Sequence, residues 1–427
     1  MLSRRRRTAT PAPTRAPRRV AVVGGGMVGL ATAWFLQESG AQVTVYERGT
    51  VAAGASWGNA GWLTPGLAAP LPEPAVLRYG LRAVLSSRSP VYLPLRADAE
   101  LLRFLVSFVR HSTPGRWRRG MAAYVPLNER ALDAFDVLAA AGVSAPTHRA
   151  EPFLACYRDE RERHGLVEEL RAIRAAGQRD IVFGELTGDQ ARALDPVLTA
   201  EVGAAVQVHG QRYLHPPEYV RSLAQAVTAQ GGVVREGVGV TDIRDDGDEV
   251  VLGTDEGPQR HDAVVVATGA WLGALARRFG VRQVVQAGRG YSFSVPVEQM
   301  PSGPLYFPAQ RVACTPLGSR LRIAGMMEFR RPEEPLDPRR IAAITDAVRP
   351  FLAGVDLDDR QNEWVGSRPC TGDGLPLLGR TTSPRVFVAG GHGMWGIALG
   401  PVTGMLMAQT VLKGEAPPEL RPFDPLR

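Results

Sequence analysis

The chain has 427 residues, 44% of them apolar, and a formal net charge of +7. Such a length passes the roughly 250–300 residues at which one core stops growing, so two domains are expected, and no apolar run reaches the roughly 18 residues of a membrane span. Arg4, Arg5, Arg6, Arg7, Arg15, Arg18 and Arg19 together equal the whole net charge, which leaves the body near neutral and argues against a basic nucleic-acid face.

Residues 1–18 hold arginines and Pro11, Pro13 and Pro17 but no acid. They predict a disordered basic tail, either an anchor on anionic lipid or nucleic acid or a solvated extension. No apolar h-region and cleavage site follow, so no secretion signal is expected. An apolar run at 19–23 then predicts a buried strand, 27–39 a helix and 42–47 a second strand, with Gly24-Gly25-Gly26 turning the chain between the first two. From 54 to 74 the Gly-, Ala- and Pro-rich sequence reads as a long ordered loop or a crossing between domains. Helical patterns follow at 75–86, 97–110, 127–141, 161–176 and 218–230, with strand patterns at 203–209, 233–240 and 262–267. Residues 284–330 alternate like antiparallel strands, 385–389 is a last buried strand, and 397–412 is the closing helix. Cys156, Cys314 and Cys370 are unpaired in spacing and suit a reducing cytoplasm, and the seven histidines lack metal-ligand spacing, so no metal is expected.

Gly24-x-Gly26-x-x-Gly29 follows a strand, opens a helix, and is completed by the acid Glu47 at the end of the second strand. The glycines give the tight turn, the close approach to a pyrophosphate and the close helix–strand packing, while the acid accepts from ribose hydroxyls. Glu47 disfavours a 2′-phosphate; NAD and FAD both remain at this point.

Five segments in order resemble the D-amino-acid oxidase superfamily of FAD-dependent amine oxidoreductases, within it the D-amino-acid dehydrogenase small-subunit branch. They are VAVVGGGMVGLATAWFLQESGAQVTVYER, GASWGNAGWLTPG at 54–66, HDAVVVATGAWLGAL at 261–275, GYSFSV at 290–295, and WVGSRPCTGDGLPLLG at 364–379 running into VFVAGGHGMWGIALGPVTG. The resemblance implies an α/β Rossmann-type FAD-binding domain that is discontinuous, at 19–66, 211–285 and 366–416. It implies an α+β substrate domain on an antiparallel sheet at 67–210 and 286–365, and a C-terminal tail at 417–427.

It also implies non-covalent FAD held by Gly24, Gly26, Met27, Val28, Gly29, Glu47 and Arg48. Ser56, Asn59, Ala60, Gly61 and Trp62 would wrap the pyrophosphate and reach the flavin. Val240 would face the adenine, and Ala267, Gly269 and Trp271 would end a strand beside the pyrophosphate. Gly391, Gly393, Met394, Trp395, Gly396 and Ile397 would lie along the flavin, with Met394 and Trp395 alternatively apolar filler behind the turn. Arg368 would bind a substrate carboxylate through its planar guanidinium. Tyr291 and Tyr306 would face the flavin, or else be packed core tyrosines. His392 would touch substrate or cofactor, or support them from behind.

Two departures from the family stand out. Ala313 stands where glycine oxidases carry a further tyrosine, and Met394 where they carry an arginine. Cys370 lies out of register with the cysteine that holds FAD covalently in sarcosine oxidases. The implied reaction is oxidative deamination of an amino acid, in first place a D-amino acid, to an imino acid and then a 2-oxo acid and ammonia. Glycine, sarcosine, hydroxyproline or a specialised amine are the alternative substrates, and a non-catalytic adaptor using the basic tail is the alternative of another class. The acceptor is quinone or O₂, and the expected location is the cytoplasm, with a peripheral membrane contact through 71–108 as a hypothesis.

Overall fold

The computed structural model describes residues 16–73, 91, 92 and 98–427. The expected helix at 75–86, most of the basic tail and much of the membrane-contact stretch lie outside them. The strands Arg19–Val23 and Gln42–Glu47 and the helix Met27–Glu38 form as the apolar runs and Gly40 dictate. They seed a six-stranded sheet in the order Val233–Glu236, Gln42–Glu47, Arg19–Val23, Ala263–Val266, Val386–Gly390, Leu377–Arg380. All its pairs are parallel except the last. Helices Met27–Glu38 and Gly400–Lys413 touch so closely that a Cβ on Gly404 would lie 2.6 Å from the carbonyl carbon of Ala31.

Besides two three-stranded sheets among the described residues, there is a second large sheet, mostly antiparallel, of nine strands. Its main path runs Gln361–Thr371, Val285–Val295, Arg320–Phe329, Val312–Leu317, Leu305–Phe307, Leu154–Tyr157, Ala204–Val208, Phe183–Thr187. The expected return to the cofactor-binding unit at 366 falls inside the strand Gln361–Thr371, whose residues stay paired with Val285–Val295 as far as Thr371. The return comes at Leu377–Arg380. The expected C-terminal tail is packed: Leu420 and Phe423 are buried in the main core, and the Arg427 guanidinium holds Asp373 at 2.8 and 3.1 Å. A helix at Pro114–Glu129, hidden in the sequence by Pro114, Gly115, Gly120 and Pro126, precedes Ala131–Ala140. Among the described residues no helix is long and apolar enough to cross a membrane.

Alternation gives the large sheet two different faces. Tyr291, Phe293, Val295, Ile323, Cys314, Leu305 and Phe307 point to the back, where the helix Pro338–Val348 closes a core. Within that core Glu328, only 1% exposed, meets three guanidinium groups: Arg330 at 3.0 Å, Arg340 at 3.4 Å and Arg289 at 3.7 Å. The Tyr291 hydroxyl donates to the same carboxylate at 2.6 Å. Glu334 and Asp337 reach Arg330 and Arg340 at 3.1 and 3.9 Å, so removing Glu328 leaves above all the desolvated Arg289 without its carboxylate, which costs about 3–5 kcal/mol. Glu328→Ala is therefore expected to lower the unfolding free energy by that amount, read as a lower urea midpoint at unchanged m. An unchanged midpoint would show that the knot is not a structural pillar.

Candidate active site

The front of the large sheet faces the parallel sheet, and the crossing 54–70 runs between the two. Gly24 sits at φ +117°, and a Cβ there would meet the Ala267 carbonyl oxygen at 2.5 Å; on Gly29 it would meet the Gly24 carbonyl oxygen at 2.0 Å. The glycines therefore let two strand ends and one helix N-terminus share a single point. That helix has no side-chain cap and no acid in its first turn. Its Met27 amide reaches only the Ser56 hydroxyl, at 3.4 Å, and the open amides suit an anion.

Glu47 does more than the motif suggests. Its two carboxylate oxygens accept from the backbone amides of Gly25 at 2.8 Å and Gly49 at 2.9 Å, so it also shapes the glycine loop. Arg48, from the same strand end, lays its guanidinium 3.8 Å from the Trp271 ring centroid. Val240 begins the next strand just after Val238, whose amide bonds the Glu47 carbonyl at 2.9 Å. Ala267, Gly269 and Trp271 stand half-buried beside the loop, and Asn59 fixes the Gly61 amide at 2.8 Å. A Cβ on Gly269 or Gly393 would meet nothing within 4 Å, and the Thr268 hydroxyl between Ala267 and Gly269 is sealed from water with no partner. A surface of open glycines, uncapped amides and an orphan hydroxyl fits a dinucleotide such as FAD, with the residues named above holding it.

The turn after Val386–Gly390 closes the far end. Gly391 and Gly393 take φ of +78° and +56°, and the Gly393 amide donates to Pro369 at 2.8 Å. Trp395 is not filler: its indole N–H holds the Ala69 carbonyl at 2.8 Å and ties the turn to the crossing. Met394 is 37% exposed at the rim rather than packed behind the turn, whereas Ile397 is buried in the core and Gly396 backs onto His392.

The expected catalytic side chains divide. Arg368, in the strand Gln361–Thr371, lies flat over Gly290, where a Cβ would come within 2.2 Å of its guanidinium nitrogens. It donates to the Met326 carbonyl at 2.9 Å. Met326, at φ +68°, turns that carbonyl in at a bulge between Arg320–Phe329 and Val285–Val295. Burial holds the Arg368 pKa below the usual guanidinium range, and no carboxylate pairs with it among the described residues. Tyr306 is on the same face, edge-on to Trp62 with ring centroids 5.3 Å apart.

Tyr291 corrects the expectation. Gly290 and Ser292 look forward, so Tyr291 between them must look back, into the Glu328 knot. His392 is likewise committed elsewhere: it is 2% exposed and its Nε2 bonds the Thr403 hydroxyl at 3.0 Å.

Several front-face residues gave no usable sequence signal. Ser292 donates to the Gly58 carbonyl at 2.8 Å, and the Trp62 indole donates to Thr315 at 2.8 Å, stitching the crossing to the large sheet. Arg322 is 4% exposed, with its guanidinium 5.2 Å from the Trp57 ring centroid, and burial pushes it down to about 10. Alternation would have put Arg322 and Ala324 on one face, but in a chain crowded with arginines nothing marked this one.

The chain matches the family model described as FAD-dependent oxidoreductase over residues 19–410. It is 30% identical over 408 residues to a D-amino acid dehydrogenase of Cereibacter sphaeroides, covering 93% of this chain and 92% of that one. A D-amino acid dehydrogenase of Methylobacterium radiotolerans is also 30% identical, covering 93% of this chain and 96% of that one. Among solved structures, glycine oxidase from Geobacillus kaustophilus superposes with a TM-score of 0.75 at 25% identity, covering 96% of this chain and 99% of that one.

Burial pushes the His392 imidazole from its ordinary 6.5 down to about 4, so the folded chain keeps it neutral where the unfolded chain takes up a proton. Stability is then lost as pH falls from 6.5 toward 4 and levels off below, a change of about 3 kcal/mol. His392→Gln is expected to flatten that part of the stability–pH curve relative to the parent, as read by chemical denaturation at each pH. Parallel curves would mean the imidazole is not held neutral.

Proposed function

The chain belongs to the family of FAD-dependent oxidoreductases, and from that premise we propose that it oxidatively deaminates an amino acid whose carboxylate is held by Arg368. The observation that carries the reading is a desolvated guanidinium, flat on a glycine floor, with no protein carboxylate to meet among the described residues. A planar fork left open toward a cleft matches a carboxylate bidentately. When bound, the flavin supplies the electron sink, taking a hydride at N5.

The protein's share is orientation and exclusion of water. Arg368 fixes the carboxylate, and Gly290 beneath it keeps the floor flat. Ala324 and Ala313, paired across neighbouring strands, leave room for a substrate side chain. The substrate amine enters neutral; its lone pair forms the C=N bond as the Cα hydrogen leaves with both electrons, and an N–H proton passes to solvent. Water then hydrolyses the imino acid to a 2-oxo acid and ammonia. No protein base is needed, in keeping with Tyr291 and His392 being turned elsewhere.

The names of the relatives at 30% identity support the D configuration and an acceptor other than O₂, a quinone by chemical class. Rapid H₂O₂ release without turnover on artificial quinones would overturn that part.

Arg368→Ala is expected to lower kcat/KM for amino-acid substrates roughly a hundredfold, the equivalent of about 3 kcal/mol, by anaerobic bleaching of the flavin band. Its Tm should stay level or rise, because an unpaired buried charge is removed. Unchanged kcat/KM, or a large fall in Tm, would return Arg368 to a structural role.

A further inference from the structure

Past Arg368 the floor of the cleft continues as a row of side chains across neighbouring strands. Register sets Ser292 beside Ala324, Ala324 beside Ala313, and Ala313 beside Tyr306. Ala313 faces front, as does Thr315 two residues on, while Val312 and Cys314 pack into the rear core. Those two are sealed, at 1% and 0% exposure, yet Ala313 keeps exposed surface in the middle of a nine-stranded sheet. Open space therefore stands above its methyl group.

Two rings bound that space. The Trp62 indole donates to the Thr315 hydroxyl at 2.8 Å, and it stands edge-on to Tyr306 with ring centroids 5.3 Å apart. Thr315 and Tyr306 are the along-strand and cross-strand neighbours of Ala313, so an indole that reaches both passes beside the methyl group. Phe153, fully buried, meets Trp62 edge-on at 4.9 Å and helps to fix its orientation. Trp62 and Tyr306 are themselves only partly buried, so the slot they frame is open rather than filled. It is also apolar. The row carries no charged side chain, and Arg322 leans away from it, to the Ser292 hydroxyl at 3.3 Å and the Asn362 carbonyl at 3.2 Å.

We propose that this slot receives the substrate side chain, and that the substrate is an amino acid with a large apolar side chain, aromatic before aliphatic. The proposal rests on the reading of Arg368 as the carboxylate clamp. Reach agrees. Arg368 holds the Met326 carbonyl, and Ala313 lies two residues along and one strand across from Met326, about 8 Å away. With the carboxylate on the guanidinium, a single methyl side chain stops short of Ala313, whereas leucine or phenylalanine extends over it. A phenyl ring there meets the two aromatic walls at about 5 Å, a separation at which ring pairs attract beyond the area they bury. An ammonium or carboxylate in the same place would lose its water with no opposite charge in the row. Ala313 sets the size limit, since a larger side chain on it would rise into the slot opposite Tyr306.

The test is anaerobic flavin reduction of the holoenzyme by both enantiomers of alanine, leucine, phenylalanine, lysine and glutamate. Phenylalanine is expected to exceed alanine by about tenfold or more in kcat/KM, with leucine between them and the charged pair below leucine. Ala313→Leu should shrink the phenylalanine-to-alanine ratio by about tenfold, chiefly through KM. Binding to the parent gives a second reading that no folding defect can spoil. Phenylpyruvate should perturb the absorption of the oxidised flavin at concentrations about tenfold lower than pyruvate does. Alanine matching phenylalanine, a charged amino acid exceeding it, or equal affinity for the two oxo acids overturns the inference. So does an Ala313→Leu variant that folds and keeps the parent ratio. Reduction by alanine but not by phenylalanine leaves the deamination reading standing and refutes this one. Reduction by no amino acid refutes both.

Discussion

A guanidinium kept deep in a protein without a carboxylate is the constraint around which the site is arranged. Desolvating such a charge is expensive, and buried charges are ordinarily paired. Among the described residues Arg368 nonetheless bonds only the Met326 carbonyl, presented by a left-handed residue at a bulge. The glycines beneath follow from the same need. A side chain on Gly290 would occupy the guanidinium's position, and one on Gly288 would come within 2.8 Å of the Cys370 sulfur. The floor is bare because the charge must lie flat and accessible, ready for a planar anion.

The two faces of the large sheet answer the same electrostatic problem in opposite ways. At the back, Glu328, sealed at 1% exposure, joins Glu334 and Asp337 in meeting Arg289, Arg330 and Arg340, so charge there is largely met internally. At the front, Arg368 and Arg322 stay without carboxylates among the described residues. Balanced charge is structural; unbalanced charge in a cleft is where a ligand belongs. A single strand divides the two regimes: Tyr291 serves the back, while Gly290 and Ser292 serve the front.

What the sequence disclosed follows the range of the interactions involved. The glycine motif, Glu47 and their flanking strand and helix are local, and each glycine has a reason visible within 30 residues, so that unit was legible to the residue. Arg368 could be singled out because Ser367, Pro369 and the Asp373-Gly374 turn mark it. The sequence left Tyr291 between flavin and core because a motif says nothing about which way a strand faces; the neighbour across the ladder decides that, and Glu328 lies 37 residues away. Arg322 was invisible for the same reason. The helix Pro114–Glu129 was obscured differently, by breakers that its packing overrides: Trp117, Met121 and Tyr124 are buried despite Gly115, Gly120 and Pro126.

The crossing segment joins these parts into one site. Within a few residues Gly58 accepts from Ser292, Trp62 donates to Thr315, and Ala69 accepts from Trp395. The first two bind the large sheet and the third binds the turn after the parallel sheet, so one strip of chain sets the spacing between dinucleotide loop and substrate floor. Gly58 and Gly61 permit this closeness, since a Cβ on either would strike the Trp364 ring at 2.1 Å or the Leu214 carbonyl oxygen at 2.1 Å. Positioning of this kind is exacting in catalysis, where an ångström of misplacement between reacting atoms costs orders of magnitude. Under the proposed deamination the same tightness would stand in for an acid–base side chain: with a carboxylate on Arg368 and the spacing fixed by the crossing, geometry would select which hydrogen on the substrate is presented.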